Sequence, residues 1–544
     1  MGISAEENNI YLSTKAFRLP DKWLCTVLFF ALAYAAVLAF AFGKTEIHWD
    51  EVNHLNGALL LSRGQIWDYA AINSFYPPLY NVVTAAYFIV AGASVFTARL
   101  VTLTFTVASI LLVYKTAKEM YSQKVGLLAS VFFAVMPGTV WLSGLAMIET
   151  MLIFMVSLSL LFFFRWLQTS NKFDLMMSST SLVLGVLVKY QTLVVVPLVM
   201  LTSLLVLGKI DVLKTKIRLF LFSRLIWLGG AIAIIGGFLL YAYYTSGLLK
   251  VWLYAIQFGN VGQSEYSLRF PFPIFYLVEI VWPYSDMHPV SLLLYVLALV
   301  GLIFFVVRRK PQDKYLLIWF IAIYVIFTII PNRQWRYVTL VFPVLAISAA
   351  ELAASLYYRT QKIWRATLSS VTKKRIAKLS AGFLIVFVVA GVFYSAVDAY
   401  VWVSADQIQV PTEDTATYIS QRSLVNGSVL VLCPFNRFNK DIILFYLNSK
   451  SASPTQVYQY PTLAVDAYPP DFNITELVSY CQTNDTKYVL LYEYESTPTY
   501  YGSNLNEQAL YTILNDTGKF SLEVSFGVAP RRMFVFSFNG SSQL

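Results

Sequence analysis

The chain has 544 residues, of which 58% are hydrophobic, 16% aromatic and only 13% charged. No soluble composition fits these values, so the sequence predicts a polytopic membrane protein. The net charge of +10 is explained by the sidedness of the chain in a membrane, and a nucleic-acid partner is not expected.

Eleven hydrophobic stretches are predicted to cross a bilayer core of about 30 Å, which takes roughly 17 to 25 residues each. The apolar stretch 79–93 is predicted instead to be an outer-surface or half-inserted helix. The first stretch is predicted to be a retained anchor, because its length of about 20 residues exceeds that of a usual signal-peptide core. The predicted spans are 24–43, 98–117, 124–142, 150–167, 174–188, 191–208, 224–244, 289–307, 314–330, 337–357 and 379–400.

The lysines and arginines are distributed unevenly over this layout. With the N-terminus inside, 24 of the 40 fall in inner segments and eight in outer loops, as the positive-inside rule requires. Eleven crossings then leave the tail outside, in the cell membrane or, in a eukaryote, the endoplasmic reticulum. All five N-x-S/T acceptors fall in this tail, which is therefore predicted to be glycosylated at Asn426, Asn473, Asn484, Asn515 and Asn539.

Two domains are predicted. Residues 1–400 form the transmembrane domain, with a first outer loop at 44–97 that carries surface helices, and residues 401–544 form a small extracytoplasmic α/β domain. Cys433 and Cys481 allow either an external disulfide or two buried thiols, and the second is favoured. The tail is predicted to contain helices from Pro411-Thr412 and at 438–448, 474–482 and 506–515, and strands at 428–433, 487–494, 520–526 and 532–538.

The first outer loop concentrates ionisable residues. A solvated loop would explain them, but all three histidines of the chain lie in outer loops near candidate acids, which favours a site. Asp50 and Glu51 follow the first span directly, where a carboxylate can act as general base toward a hydroxyl that arrives from outside. The loop residues are Glu46, His48, Asp50, Glu51, His54, Arg63 and Asp68, and the third histidine is His288.

Later outer loops add one acid and several cations. Glu149 lies in a loop too short to need a charge for solubility, although an ordinary interfacial acid is the alternative. Arginine binds phosphate oxygens bidentately, and donors placed in advance stabilise charge that develops on a leaving group. The outer cations are therefore predicted to bind a phosphate, although each alone is also explained by snorkelling. They are Lys189, Arg269, Arg333 and Arg336.

Together these residues resemble a family. Asp50-Glu51, the turn Tyr76-Pro77-Pro78-Leu79, Glu149, Lys189 and Arg336-Tyr337 look like the GT-C membrane glycosyltransferases, within them the group of protein O-mannosyltransferases and lipid A aminoarabinose transferase. The resemblance implies a GT-C-like fold of about eleven transmembrane helices. It also implies a polyprenyl-phosphate sugar donor held among membrane lipids, and a glycan, lipid or protein acceptor at the outer face.

The resemblance also implies roles for individual residues. Asp50 would be the general base, Glu149 the second acid of the family, and attack opposite the phosphate would invert the anomeric configuration. Lys189, Arg269 and Arg336 would bind the donor phosphate, to which we add Arg333 as a neighbouring cation. The predicted lining of the substrate cavity is Glu51, His54, Tyr76, Tyr266 and His288.

Two departures from the family pattern concern a metal. The aminoarabinose enzymes place Glu-Lys before the Pro-Pro turn, where this chain has Phe75 and Tyr76, and a histidine near the position of Tyr266. Both metal ligands are replaced together, so that metal site is not expected. A different divalent-ion site is conceivable from the spacing of His48, Glu51 and His54.

Two other functions fit parts of the sequence less well. A transporter or flippase of lipid-linked sugars should carry charges along its path, whereas the acids here gather on one side. An oligosaccharyltransferase acting on Asn should carry a W-W-D-Y-G motif, which the outer tail lacks.

Overall fold

The structure is a computed structural model, and its described residues place every element named below. They are 22–43, 45–72, 76–207, 268–282, 288–366, 370–405, 408–422, 427–435, 437–451, 455–462, 471–493 and 505–540. The predicted span 224–244, Tyr266 and Asn426 lie outside these residues.

The membrane domain is helical, because long apolar runs can satisfy their backbone groups in a bilayer only within a helix. Side-chain caps fix several helix starts: Ser94 accepts a hydrogen bond from Thr97 N, and Ser122 accepts one from Val125 N. The helices are α1 Lys22–Phe42, α2 Trp49–Ser62, α3 Ile66–Ile72, α4 Leu79–Ala91, α5 Val95–Met120, α6 Gln123–Val135, α7 Pro137–Gly144, α8 Glu149–Thr169, α9 Lys172–Val188, α10 Thr192–Val206, α11 Phe275–Glu279, α12 Leu292–Arg308, α13 Pro311–Ile329, α14 Phe342–Arg365 and α15 Val371–Ala405, with 3₁₀ turns at Phe272–Ile274 and Trp335–Val341.

Each predicted span within the described residues coincides with helix, but not always with one straight span. Six helices among the described residues are long and apolar enough to cross a membrane, and seven if one bent pair counts as a span. That pair is the predicted span 124–142, which breaks at Pro137 into α6 and α7 with a bend of 63°. Proline at the start of α7 cannot continue the hydrogen bonds of α6, which explains the break. The total of eleven spans stays a prediction.

The first outer loop folds into three short helices. α2 packs against α4, and α4 also contacts α5. At 13 residues, α4 is only about 20 Å long and too short to cross a bilayer. The apolar stretch after the Pro-Pro turn is thus a short helix packed against the loop.

The tail is a five-stranded sheet flanked by helices. Its strand order is β2-β1-β3-β5-β4, parallel between β1 and both β2 and β3 and antiparallel in the other pairs. The predicted elements are all present, and β2 is an additional strand that the sequence analysis did not predict. The elements are α16 Thr412–Ser420, β1 Ser428–Leu432, α17 Lys440–Lys450, β2 Gln456–Tyr460, α18 Ile474–Thr483, β3 Thr486–Tyr492, α19 Glu507–Asp516, β4 Phe520–Phe526 and β5 Met533–Phe538.

In the tail, the cysteines considered for a disulfide are buried, whereas most of the asparagines predicted to be glycosylated are exposed. Cys433 and Cys481 are both buried in one hydrophobic cluster and are not joined by a disulfide. Asn473, Asn515 and Asn539 are exposed, and Asn484 is half-buried at the end of α18. Glycosylation of these residues stays a prediction.

The tail docks on the outer loop through α17. This helix packs against α2, and the Asn56 amide donates to the Asp441 carbonyl at 3.0 Å. The Arg63 guanidinium donates to the carbonyls of Asn448 and Ser451. The tail thereby packs against α2, the helix that carries Asp50 and Glu51.

Candidate active site

Asp50 and Glu51, in the first turn of α2, point in different directions. His48 is the N-cap, and its Nδ1 accepts a hydrogen bond from Asp50 N at 3.2 Å. The Glu51 carboxylate accepts from His48 N at 2.7 Å, which completes a capping box. Because consecutive helical residues are rotated by about 100°, Asp50 and Glu51 face different surroundings.

Glu51 is fully buried and all its neighbours are donors. The Arg99 guanidinium contacts its two carboxylate oxygens at 3.0 and 2.9 Å. Ala146 N adds a third contact at 2.6 Å, next to the cap bond from His48. Burial alone would raise the pKa of Glu51, but Arg99 and these hydrogen bonds hold that pKa below its ordinary value. Glu51 is therefore a structural anion that fixes α2 to α5.

Glu51 is predicted to line the substrate cavity, and this stays a prediction. In the structure its side chain has no exposed surface. Arg99 also donates to the carbonyls of Phe42, Thr45 and Glu46, which ties the end of α1 to the same pair.

Asp50 is half-buried, with one strong partner. Its Oδ2 lies 2.7 Å from an Arg336 guanidinium nitrogen, and the Asp50 and Arg336 side chains are 27% and 23% exposed. Arg336 also donates to the Gln334 amide oxygen at 3.1 Å. Both members of this pair keep exposed surface that a ligand can contact.

Glu149 forms a second pair with Lys189. Glu149 begins α8, and Lys189 follows the last residue of α9, so two neighbouring helices bring them to 3.1 Å. The ammonium group of Lys189 also lies 5.6 Å from the centre of the Tyr337 ring. The predicted acid and the predicted phosphate-binding cation are thus in direct contact.

The two pairs belong to one cluster. Arg336 interacts electrostatically with both Asp50 and Glu149. Tyr76, from the Pro-Pro turn, completes this group: burial, followed by the carboxylates of Asp50 and Glu149, raises the pKa of its hydroxyl. We call Asp50, Glu149, Lys189 and Arg336 the carboxylate–cation cluster.

The two loop histidines support this cluster from α2. Burial, with a contribution from Arg437, lowers the pKa of His48 to about 4, so its ring is neutral at pH 7 and serves as a cap. His54 is buried, lies 3.0 Å from the Asn81 amide oxygen, and its ring centre is 5.1 Å from that of Tyr76. The His54 ring therefore packs against Tyr76 and helps to position it.

These positions leave no assembled metal site in the described residues. They contain no group of three His, Cys, Asp or Glu side chains that could hold an ion. Of the predicted alternative ligands, Glu51 is occupied by Arg99 and His48 by the α2 cap. The set of His48, Glu51 and His54 is therefore not brought together as ligands.

Two of the predicted phosphate-binding arginines lie beside a separate aromatic group. The Arg333 guanidinium donates to the Thr328 carbonyl and lies 5.1 Å from the Phe272 ring. Arg269 is exposed and lies 5.2 Å from the Phe270 ring. Their binding of phosphate stays a prediction, whereas Lys189 and Arg336 stand in the cluster itself.

His288 has different neighbours from those expected. Its Nδ1 lies against the Val281 carbonyl, and its ring interacts electrostatically with Asp398 of α15. These contacts are with Val281 and with α15, and the place of His288 in the substrate cavity stays a prediction.

Sequence reasoning undervalued two residues of the site. Tyr337 was noted only as part of a motif, yet it lies beside both Lys189 and Arg336. Arg99 is not among the predicted site residues, yet its guanidinium pairs with Glu51. A buried acid needs a buried base, but no local signal in the sequence shows which of the two adjacent acids is buried, so none pointed to Arg99.

Comparison with known proteins gives one family match. Residues 76–241 match the family model described as dolichyl-phosphate-mannose-protein mannosyltransferase. This segment holds Tyr76, Glu149 and Lys189 of the site and less than half of the chain. No curated protein sequence matches the chain significantly.

Solved structures match over most of the chain. ArnT from Cupriavidus metallidurans in the apo state aligns with a TM-score of 0.57 and 13% identity, over 94% of this chain and 98% of that one. ArnT bound to undecaprenyl phosphate aligns with a TM-score of 0.53 and 15% identity over the same shares. The oligosaccharyltransferase AglB from Archaeoglobus fulgidus, in complex with an inhibitory peptide and a dolichol-phosphate, gives 0.52 and 13% over 86% and 70%.

Proposed function

We propose that this protein is an enzyme that moves a sugar from a polyprenyl-phosphate carrier to an acceptor at the outer face. The chain has the GT-C fold of membrane glycosyltransferases, with a small C-terminal sheet domain as predicted. The acceptor is a glycan, a lipid or a protein. The observation that carries this proposal is the carboxylate–cation cluster, in which an accessible acid and two cations meet at the helix ends.

The chemistry follows from the charges in the cluster. A sugar that leaves a polyprenyl phosphate produces an extra negative charge on a phosphate oxygen, and preplaced cations stabilise that charge in the transition state. Lys189 pairs with Glu149 and Arg336 with Asp50, and Glu149 also acts electrostatically on Arg336. We therefore expect one phosphate to contact both cations. A carrier embedded in the bilayer presents its phosphate at the depth of these helix ends.

Asp50 is the proposed general base. It would take the proton of the acceptor hydroxyl while that oxygen attacks the anomeric carbon, the bond to the phosphate oxygen breaks, and polyprenyl phosphate leaves with the electron pair. Attack from the opposite side inverts the anomeric configuration. Asp50 suits this role better than Glu51, because its carboxylate is 27% exposed whereas that of Glu51 is fully buried.

Glu149 has a positioning role in this scheme. Its contact with Lys189 fixes the ammonium group at the end of α9, and its charge also acts on Arg336. Neutralising Glu149 would leave both cations less well oriented for the donor phosphate.

A transfer assay tests the proposal. Purified protein in lipid vesicles is given polyprenyl-phosphate sugars and a membrane extract that contains acceptors, and the products are identified by mass spectrometry. Wild-type protein should release polyprenyl phosphate and form a new glycosidic bond. Asp50→Asn should lower the rate by a factor of about 10² to 10⁴, the usual share of a general base.

Asp68→Asn is the matched control, because Asp68 lies in the same loop on exposed α3 and should leave transfer unchanged. Full activity of Asp50→Asn would reject Asp50 as the base. Movement of labelled lipid between leaflets without formation of a bond would reject the enzyme in favour of a flippase.

A further inference from the structure

A groove with a volume of about 690 Å³ lies at the opposite end of the membrane domain from the carboxylate–cation cluster. α5 links the two places: Arg99 of the Glu51 pair is near its first residue, and Tyr121, which donates to Asp313 at 2.7 Å, follows its last. At 1.5 Å per residue these ends are about 30 Å apart, the thickness of a bilayer core.

One wall of the groove is basic. Its charged lining consists of four cations and one acid, Glu351, which is already paired with Arg308 and accepts from Ser355. Arg308 is also held by the buried carboxylate of Asp313. The cations are Lys124, Arg308, Lys310 and Arg359.

The geometry of this wall is fixed by an aromatic ring. The Phe304 ring contacts two guanidinium groups, with its centre 4.6 Å from that of Arg308 and 5.7 Å from that of Arg359. Stacking on Phe304 helps to hold both guanidinium planes, and the N–H groups of Arg308 are themselves bound by Asp313 and Glu351. Lys124 and Arg359 are exposed, so their charge is open to a ligand.

The facing wall is apolar and comes from the long last helix of the membrane domain. α15 contributes four aliphatic side chains, of which Ile385 and Val389 are 50% and 61% exposed. They begin about two turns beyond the basic run Lys373-Lys374-Arg375 in the same helix. The aliphatic residues are Leu384, Ile385, Val388 and Val389.

We propose that this groove binds an anionic phospholipid from the leaflet opposite the carboxylate–cation cluster. The phosphodiester contacts Lys124, Lys310 and Arg359, and an acyl chain lies along the aliphatic face of α15. A zwitterionic lipid brings a cation that the net positive wall repels, whereas an anionic lipid brings none. This site is independent of the proposed transfer reaction, because no residue of the cluster contributes to it.

The test measures binding of fluorescent phosphatidylglycerol to the purified full-length chain in a non-ionic detergent, with fluorescent phosphatidylcholine as the comparison. Wild-type protein should bind phosphatidylglycerol at least about tenfold more tightly. The double variant Lys124→Gln/Arg359→Gln should lose about tenfold of that affinity. Both residues lie outside the Arg308–Asp313–Glu351 ion pairs, so the variant should fold, and its thermal unfolding is measured alongside.

The control Lys115→Gln/Lys314→Gln removes two charges from the same end of the domain but outside the groove and should retain wild-type affinity. Equal losses in both double variants, or equal binding of the two lipids, would overturn the proposal. Glycerophosphoglycerol has the same phosphodiester without acyl chains and should compete poorly. Full competition by it would show a soluble-phosphate site instead and overturn the lipid assignment.

Discussion

The ion pairs Glu51–Arg99 and Asp50–Arg336 start from adjacent residues of one helix and have opposite properties. In the first pair, Glu51 is fully buried and accepts hydrogen bonds from Arg99, Ala146 and His48. The second is about a quarter exposed on each side. The number of unused acceptor positions, rather than the presence of a carboxylate, therefore separates a structural acid from one available for chemistry.

Breaking the buried pair should have the largest effect. In Glu51→Gln, the Arg99 guanidinium keeps its burial but loses its counter-charge, which costs about 3 to 5 kcal/mol. The variant should therefore unfold at a much lower temperature in detergent, or fail to accumulate in membranes. Thermal unfolding of the purified protein checks this.

Asp50→Asn is the control on the exposed side of the comparison. A partly exposed ion pair contributes only about 0 to 1 kcal/mol, so this variant should unfold close to wild type. If Glu51→Gln unfolds like wild type while Asp50→Asn does not, the assignment of the two acids is reversed.

Arg336 should matter more for transfer than for stability. Replacing it with Gln removes a charge-assisted donor from the proposed phosphate position, which should lower kcat by a factor of about 10² to 10³. Arg336→Lys keeps the charge but loses the planar fork that contacts Asp50 and Gln334 together, and should recover only part of the rate. Transfer kinetics with saturating acceptor measure both variants.

Arg63→Gln provides a matched loss of one outer arginine. Arg63 donates to backbone carbonyls of the tail and does not belong to the carboxylate–cation cluster. The Arg63→Gln variant should therefore keep the kcat of the wild-type enzyme. An equal loss of kcat in both arginine variants would show that Arg336 has no special relation to the donor.

The sequence predicted the helices that carry these ion pairs better than it predicted which side chains pair with one another. Apolar runs with charged borders located α1 and α5, and N-cap and turn residues located α2 and α4, since these signals are local. The positions of Asp50, Glu149, Lys189 and Arg336 at helix ends on one side followed from the alternation of spans. Lateral neighbours did not follow, because packing between helices decides which ends touch.

Long-range contacts account for what the sequence did not predict. Nothing local in the sequence separates Glu51 from Asp50, since the partner of Glu51 lies on α5, 48 residues away. His288 was placed by its outer position alone, and its contact with Asp398 depends on how α15 packs. β2 was not predicted, and its five residues form a strand by parallel pairing with β1.

The Glu149–Lys189 pair should behave as one unit. Glu149→Gln and Lys189→Gln should each lower kcat/KM, by about tenfold to 100-fold, because either change disturbs the same ammonium position. If Glu149 acts through Lys189, the double variant should be little worse than the Lys189 variant alone. Kinetic constants of the two single variants and the double variant give the coupling.

The same cycle distinguishes positioning from direct chemistry. A double variant whose losses multiply would show that Glu149 acts independently of Lys189. Glu119→Gln/Lys115→Gln, a pair of charges at the far end of α5, should leave kcat/KM unchanged and serves as the control.

Glu46, a third acid of the same loop, is buried like Glu51 but has no bidentate arginine. Desolvation raises the pKa of its carboxyl from 4.5 to about 7, although hydrogen bonds from Ile47 N and the Tyr446 hydroxyl oppose the rise. The folded protein then holds the proton more tightly than the unfolded chain. Stability from this group is present below pH 4.5 and is lost as the pH rises to about 7.

Glu46→Gln removes this dependence while keeping an oxygen for Tyr446. The variant should match wild type in thermal unfolding near pH 4.5 and be more stable than wild type above pH 7, by about 1 to 3 kcal/mol. Glu413→Gln, at an exposed acid paired with Lys450, should show no such difference. A Glu46→Gln variant that is less stable than wild type at pH 8 would show that Glu46 is a paired anion like Glu51, and the contrast between these two buried acids would be lost.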